Sequence, residues 1–169
     1  MLTHLFRKAP LLVLLIAITF SFGCADKKGC AHKQVIGATA VIQVEEVEID
    51  FIARIDTGAR TTSIHALNFN IANEAPTKEE NIGKEISFDL FDAQGKATRL
   101  TATIKDVTKV RNAQGVEYRY QVPLTLKWKD DSRPLMVNLR DRSAMTYPLL
   151  IGRDYLRGML VDVDRDTGE

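Results

Sequence analysis

The chain has 169 residues and a formal net charge of +1, with 45% apolar and 27% charged residues. Such a length fits one domain, since domains usually run about 100–200 residues, and the composition shows no sign of wholesale disorder. The near-neutral balance argues against a nucleic-acid partner, because such binders carry a basic patch or stripe. Residues 1–23 open with Arg7 and Lys8 and continue into the apolar run LLVLLIAITF at 11–20. A basic start and an apolar run of about 7–15 residues predict a secretory signal peptide, and the run is short of the ~20 residues a spanning helix needs. The alternative is an uncleaved N-terminal membrane anchor, and both readings export the remainder of the chain. Gly23-Cys24 follows the run directly and resembles a bacterial lipobox, which makes Cys24 the expected lipidation site. Ser21 and Phe22 depart from that pattern. Cys30 is the only other cysteine; lying before the first strand, the pair cannot staple a core, and it offers too few ligands for structural zinc. Residues 24–34 are polar and Lys-rich and read as a tether, with the domain spanning 35–169.

From Val35 onward, short apolar runs alternate with turn signals. Residues 35–44 and 47–55 are rich in β-branched side chains, and 64–71 has a strand-like pattern. Residues 73–83 contain Pro76 and read as a loop. Residues 86–91 alternate with period two, the turn Asp92-Ala93-Gln94-Gly95 follows, and 97–104 runs back: a hairpin. A second hairpin joins 107–111 to 116–128 through Asn112-Ala113-Gln114-Gly115, and after a turn at 130–134 the segment 135–139 alternates again. Regularly spaced strands with Gly and Pro turns predict an all-β sandwich or barrel. The one helix candidate is short, 153–160, with Gly158 inside it. No repeat of 20–50 residues is visible.

Two segments carry the chemistry. Residues 53–59 read ARIDTGA at the end of an apolar strand, and 148–156 read PLLIGRDYL far downstream. Asp and Gly are ordinary turn residues, so Asp-Thr-Gly alone is weak. Together the segments resemble the two-part signature of retropepsin-like aspartic peptidases: a strand ending in Asp-Thr-Gly-Ala, then two apolar residues, Gly, Arg and Asn or Asp. The match to one bacterial branch is closer. Residues 53–66 read ARIDTGARTTSIHA, 142–153 read RSAMTYPLLIGR, and 115–119 read GVEYR. Members of that branch are often labelled ATP-dependent zinc proteases.

The resemblance, covering about 35–165, implies a retropepsin-like (acid protease) closed β-barrel with one short C-terminal helix. It implies that Asp56 is the catalytic carboxylate, that Thr57, Gly58 and Ala59 hold its loop, and that Ile151 and Gly152 pack beneath it. Two carboxylates a few Å apart share one proton, so one activates water while the other polarises the scissile carbonyl. Because this chain holds a single Asp-Thr-Gly, the partner must come from a second copy, in a C2 homodimer. A flap should cover the cleft, and the hairpin tipped at Gly115 is preferred over the one tipped at Gly95.

One departure bears on substrate. After Asp-Thr-Gly-Ala, retroviral enzymes place an Asp that binds substrate backbone and pairs with the Arg of Gly-Arg; here Arg60 stands in its place. Arg153 loses that partner, and Asp154 could pair with Arg60 instead. Arginine offers donors and no acceptor, which favours an acidic peptide or a free carboxylate as ligand. Arg60, Arg153, Asp154 and Gly115 are therefore the substrate-binding candidates. Arg111, Arg119, Arg140 and Arg142 could line an anionic cleft or be ordinary surface charge.

No cofactor is expected. His4, His32 and His65 are the only histidines, and neither His-Glu-x-x-His nor a phosphate-binding Gly-x-x-x-x-Gly-Lys loop occurs. His65 reads as a packed or surface strand histidine. Asp162, Asp164 and Asp166 lack the Gly-centred loop and closing Glu of a calcium site. The expectation is an aspartic endopeptidase on a lipid tether facing the periplasm. The alternative is a non-catalytic module of the same fold that binds acidic peptides or a periplasmic partner.

Overall fold

The computed structural model describes residues 33–112 and 115–166. The predicted signal peptide, Cys24, Cys30 and nearly all of the tether lie outside the described residues. All described residues belong to one compact unit. Among them no helix is long and apolar enough to cross a membrane.

The unit is built from twelve strands: β1 (Val35–Gly37), β2 (Thr39–Val44), β3 (Ile49–Ile55), β4 (Ser63–His65), β5 (Leu67–Ile71), β6 (Glu85–Phe91), β7 (Ala97–Thr103), β8 (Asp106–Asn112), β9 (Gly115–Trp128), β10 (Asp131–Arg140), β11 (Leu149–Ile151) and β12 (Leu160–Asp162). A single turn of 3-10 helix, Glu79–Asn81, interrupts the loop before β6. The all-β expectation holds, and so do both predicted hairpins, β6–β7 and β8–β9.

The largest sheet has the order β10-β4-β11-β3-β2-β9-β8, and β10 also pairs with β9, so the pairings come round on themselves. β5-β6-β7 form a second sheet, and β1 with β12 a third. Period-two patterning decides which residues point inward. On β3, Phe51, Ala53 and Ile55 are buried while Asp50, Ile52 and Arg54 face out. On β6 the buried set is Ile86, Phe88 and Leu90. These join Ile42, Val122, Leu124, Leu126, Leu149 and Ile151 in one apolar cluster. Each fully buried Ile, Leu or Phe contributes about 1.5–3 kcal/mol relative to leaving it exposed.

Three local expectations are corrected. Residues 64–71 are two strands in different sheets: β4 lies between β10 and β11, and β5 turns away to pair with β6. The run 35–44 breaks at Ala38, where the Ala38 N–H is taken by the Arg165 carbonyl (2.7 Å). The predicted C-terminal helix at 153–160 does not form. Tyr155 and Leu156 N–H both reach back to the Gly152 carbonyl (3.2 and 3.3 Å), but the turn stops there. Gly158 takes a positive φ of 79°, outside helical geometry, and the chain then enters β12, parallel to β1.

Candidate active site

The two sequence segments meet in space. β11 runs parallel to β3 with Leu149, Leu150 and Ile151 opposite Ala53, Arg54 and Ile55. The ladder extends one step past the strand, from Asp56 N–H to the Ile151 carbonyl (2.9 Å). Asp56 therefore stands where the central strand ends. Its Oδ1 accepts the N–H of Gly58 (2.8 Å) and of Ala59 (3.1 Å), which fixes the carboxylate over its own turn. Among the described residues no group reaches Oδ2. The partly exposed Asp56 and exposed Thr57 border an open hollow of about 730 Å³ with Val161, Val163 and Asp166.

Gly152 and Asp154 brace this loop from below. The Gly152 N–H donates to Thr62 Oγ1 (3.1 Å), and that hydroxyl donates to Asp154 Oδ1 (2.7 Å). Thr62 N–H donates to Asp154 Oδ2 (2.9 Å), and Tyr155 N–H to Oδ1 (2.9 Å). A side chain at Gly152 has no room, since a Cβ there would lie 2.6 Å from the Thr61 carbonyl carbon. Arg153 N–H donates to the Ala59 carbonyl (2.9 Å). Asn138, buried on β10, adds bonds from Nδ2 to Thr61 Oγ1 and to the Thr62 carbonyl, both 2.9 Å. Thr62 and Asn138 were not singled out in the sequence; Thr62 falls inside the matched motif, which was the available signal.

Beside the loop, β8 and the end of β10 wall a cleft of about 370 Å³. Its lining includes Ala59, Arg60 and Thr61 from the loop, Lys109 and Arg111 from β8, and Arg119, Arg140 and Arg142. The lining carries six cationic side chains and no carboxylate. All four arginines left undecided by the sequence thus come together with Arg60. Arg142 is buried; its Nε donates to the Tyr147 carbonyl and its Nη1 to Ser63 Oγ, each at 3.0 Å. Burial, with Arg140 and Arg119 alongside, pulls its pKa down to about 10, while the charge of Asp56 pulls the other way. Arg142 is therefore a cation throughout the physiological range. Arg119 is also buried and pairs with Glu117 (2.6 Å), which Arg140 approaches at 3.4 Å.

The remaining candidates are placed as follows. Arg60 is exposed at the cleft, and Arg153 is exposed outside its lining. Asp154 is occupied by Thr62 and Tyr155, and no ion pair joins it to Arg60 among the described residues. Gly115 opens β9 opposite Asn112 at the tip of the hairpin whose β8 strand walls the cleft. His65 Nδ1 accepts the Arg142 N–H (2.9 Å), and its ring lies against Phe91 (5.6 Å between centroids).

The chain is similar to several known proteins. A protein named "Probable alpha-L-glutamate ligase" from Parasynechococcus marenigrum (strain WH8102) is 33% identical over 115 residues, 65% of this chain and 23% of its own length. One of the same name from Shewanella halifaxensis (strain HAW-EB4) is 30% identical over 106 residues, 60% of this chain and 22% of its own. The chain thus matches less than a quarter of the length of these curated relatives. Among solved structures, protein Lpg0085 of unknown function from Legionella pneumophila is similar with a TM-score of 0.64 and 26% identity, covering 80% of this chain and 97% of that one. Residues 35–167 match the RimB-like family, described as retropepsin-like aspartic endopeptidase RimB, and the chain belongs to that family.

Proposed function

We propose that this protein is an aspartic endopeptidase that hydrolyses acidic peptides with a water held between two copies of Asp56, one from each subunit of a homodimer. The observation that carries this reading is the Asp56 carboxylate at the end of β3, fixed by two backbone N–H groups, beside a cleft lined by six cations. Two such carboxylates at a symmetry axis share one proton. The ionised member takes a proton from water as the oxygen attacks the peptide carbonyl carbon. The protonated member gives its proton to the carbonyl oxygen. Collapse of the tetrahedral species breaks the C–N bond, and the amine leaves with a proton returned by the dyad. The ring of strand pairings supports the closed retropepsin-like barrel, and the β8–β9 hairpin is the flap.

Arg60, Arg119, Arg140 and Arg142 would hold substrate carboxylates. The name of these relatives, which concerns alpha-L-glutamate, points to the same residue type. We further infer that the domain is exported and held at a membrane by Cys24, from the basic start, the apolar run and Gly23-Cys24.

Digestion of oligo-glutamate and oligo-glutamine peptides, followed by mass spectrometry, tests the reading. Cleavage confined to acidic peptides and abolished by Asp56→Asn is expected, with a dimer in sedimentation when peptide is present. A monomer that cleaves nothing, yet binds acidic peptide through Asp56→Asn, would instead support a non-catalytic module. The presence of Arg60 in place of an acid favours that second reading.

A further inference from the structure

We propose that Glu117 is an internal stand-in for a substrate carboxylate, occupying the arginine subsite until an acidic peptide displaces it; this rests on the acidic-peptide reading above. Glu117 and Arg119 are two apart on β9 and so share a face of the strand. One oxygen, Glu117 Oε2, lies 2.6 Å from Arg119 Nη2 and 3.4 Å from Arg140 Nε. Both arginines line the cleft, and Arg142 adds a third guanidinium to the same wall. Glu117 thus bridges two of the three arginines on this wall.

The wall also leaves one donor unused. Arg119 and Arg142 are only 8% and 6% exposed, and Arg119 Nε is buried with no hydrogen-bond partner. Burying cations is costly unless each is paired and its donors are used. A carboxylate that took the place of Glu117 could satisfy this donor as well. Glu117 is the more exposed member of its pair, with its side chain 38% accessible against 9% for Arg119. It also sits near the tip of the hairpin, across from Val110, so it can rotate outward without unpacking the core. Burial works against its ionised form, yet the Arg119 hydrogen bond and the charges of Arg140 and Lys78 hold it below the ordinary glutamate range. It therefore competes as a carboxylate at neutral pH. Neutral peptides meet a subsite already filled, whereas acidic ones can exchange for Glu117.

The test is a binding titration with a fluorescent oligo-glutamate peptide in the Asp56→Asn background, where turnover cannot intervene. If the open subsite is populated a tenth of the time or less, Glu117→Gln tightens the peptide by about tenfold or more, and oligo-glutamine binding stays weak. Unchanged or weaker affinity in Glu117→Gln, with oligo-glutamate still bound by the Asp56→Asn parent, overturns the stand-in and leaves the acidic-substrate reading standing. Oligo-glutamate binding to neither protein overturns both. Because Glu117→Gln could weaken the fold, the carboxyl carbon resonance of Glu117 is followed as well, in protein carrying only Asp56→Asn. It moves toward that of a solvent-exposed glutamate at peptide saturation, and an unmoved resonance at saturation overturns the proposal.

Discussion

Thr62→Val isolates the joint between the two sequence segments. Thr62 is fully buried and its hydroxyl does two things at once, donating to Asp154 Oδ1 and accepting from the Gly152 N–H. Valine keeps the shape and removes both bonds. A hydrogen bond to a charged acceptor is worth about 1.5–3 kcal/mol, and a buried N–H left without a partner costs about 1–3 kcal/mol. The Thr62 N–H to Asp154 Oδ2 bond and the Tyr155 bond to Oδ1 survive, so Asp154 keeps part of its satisfaction. The expected loss is about 3–5 kcal/mol, a large share of the ~5–15 kcal/mol that holds a typical domain. Equilibrium urea unfolding of wild type, Thr62→Val and Thr62→Ser measures it, with the serine variant losing about 1 kcal/mol because only a methyl is removed. A valine variant within about 1 kcal/mol of wild type at an unchanged m-value would refute the claim that this hydroxyl couples the segments.

Gly152→Ala forces a Cβ into the Thr61 backbone and is expected to cost about 1–3 kcal/mol or more; a variant as stable as wild type by thermal unfolding counts against that close approach. Arg142→Lys cannot reach both Ser63 Oγ and the Tyr147 carbonyl. Oligo-glutamate affinity should fall about tenfold, the value of roughly one such bond, as read by calorimetry. Tyr155 is 1% exposed, and burial, with Asp131 nearby, raises its pKa to about 12 against the opposing charge of Arg133. The unfolded chain releases this proton near pH 10 and the native state keeps it, so stability falls as pH rises between the two values. Wild type should lose about 2 kcal/mol relative to Tyr155→Phe between pH 10 and 12; parallel stability curves for the two proteins would contradict this.

Much of the arrangement was legible because it is written in local chemistry. Alternation on β6 and the Asp92–Gly95 turn specify a hairpin without reference to anything distant. Asp56-Thr57-Gly58 and Gly152 were readable as a pair only through their resemblance to a known signature, since nothing local says that residues almost a hundred positions apart share a ladder. What was missed is long-range. The sequence 153–160 has helical potential, yet Leu160–Asp162 is drawn into pairing with Val35–Gly37, and Gly158 ends the turn before a helix can propagate. Residues 64–71 look continuous, and only the competition between β10, β11 and β6 for its two halves splits them. The arginines posed the same difficulty: five scattered cations have no common meaning until β8, β9 and β10 bring them to one wall. Asp154, which the resemblance offered as a partner for Arg60, instead receives Thr62 and Tyr155 among the described residues.

The parallel pairing of β1 with β12 sets Val35 opposite Leu160 and Gly37 opposite Asp162, so both strands run the same way and the chain leaves β12 beside the end of β1. Ala38, just past β1, and Val161, Val163 and Asp166, on and after β12, share a hollow with Asp56. The stretch after β12 is therefore part of the wall beside the acid, and anything that shifts Val161, Val163 or Asp166 reshapes the space next to Asp56.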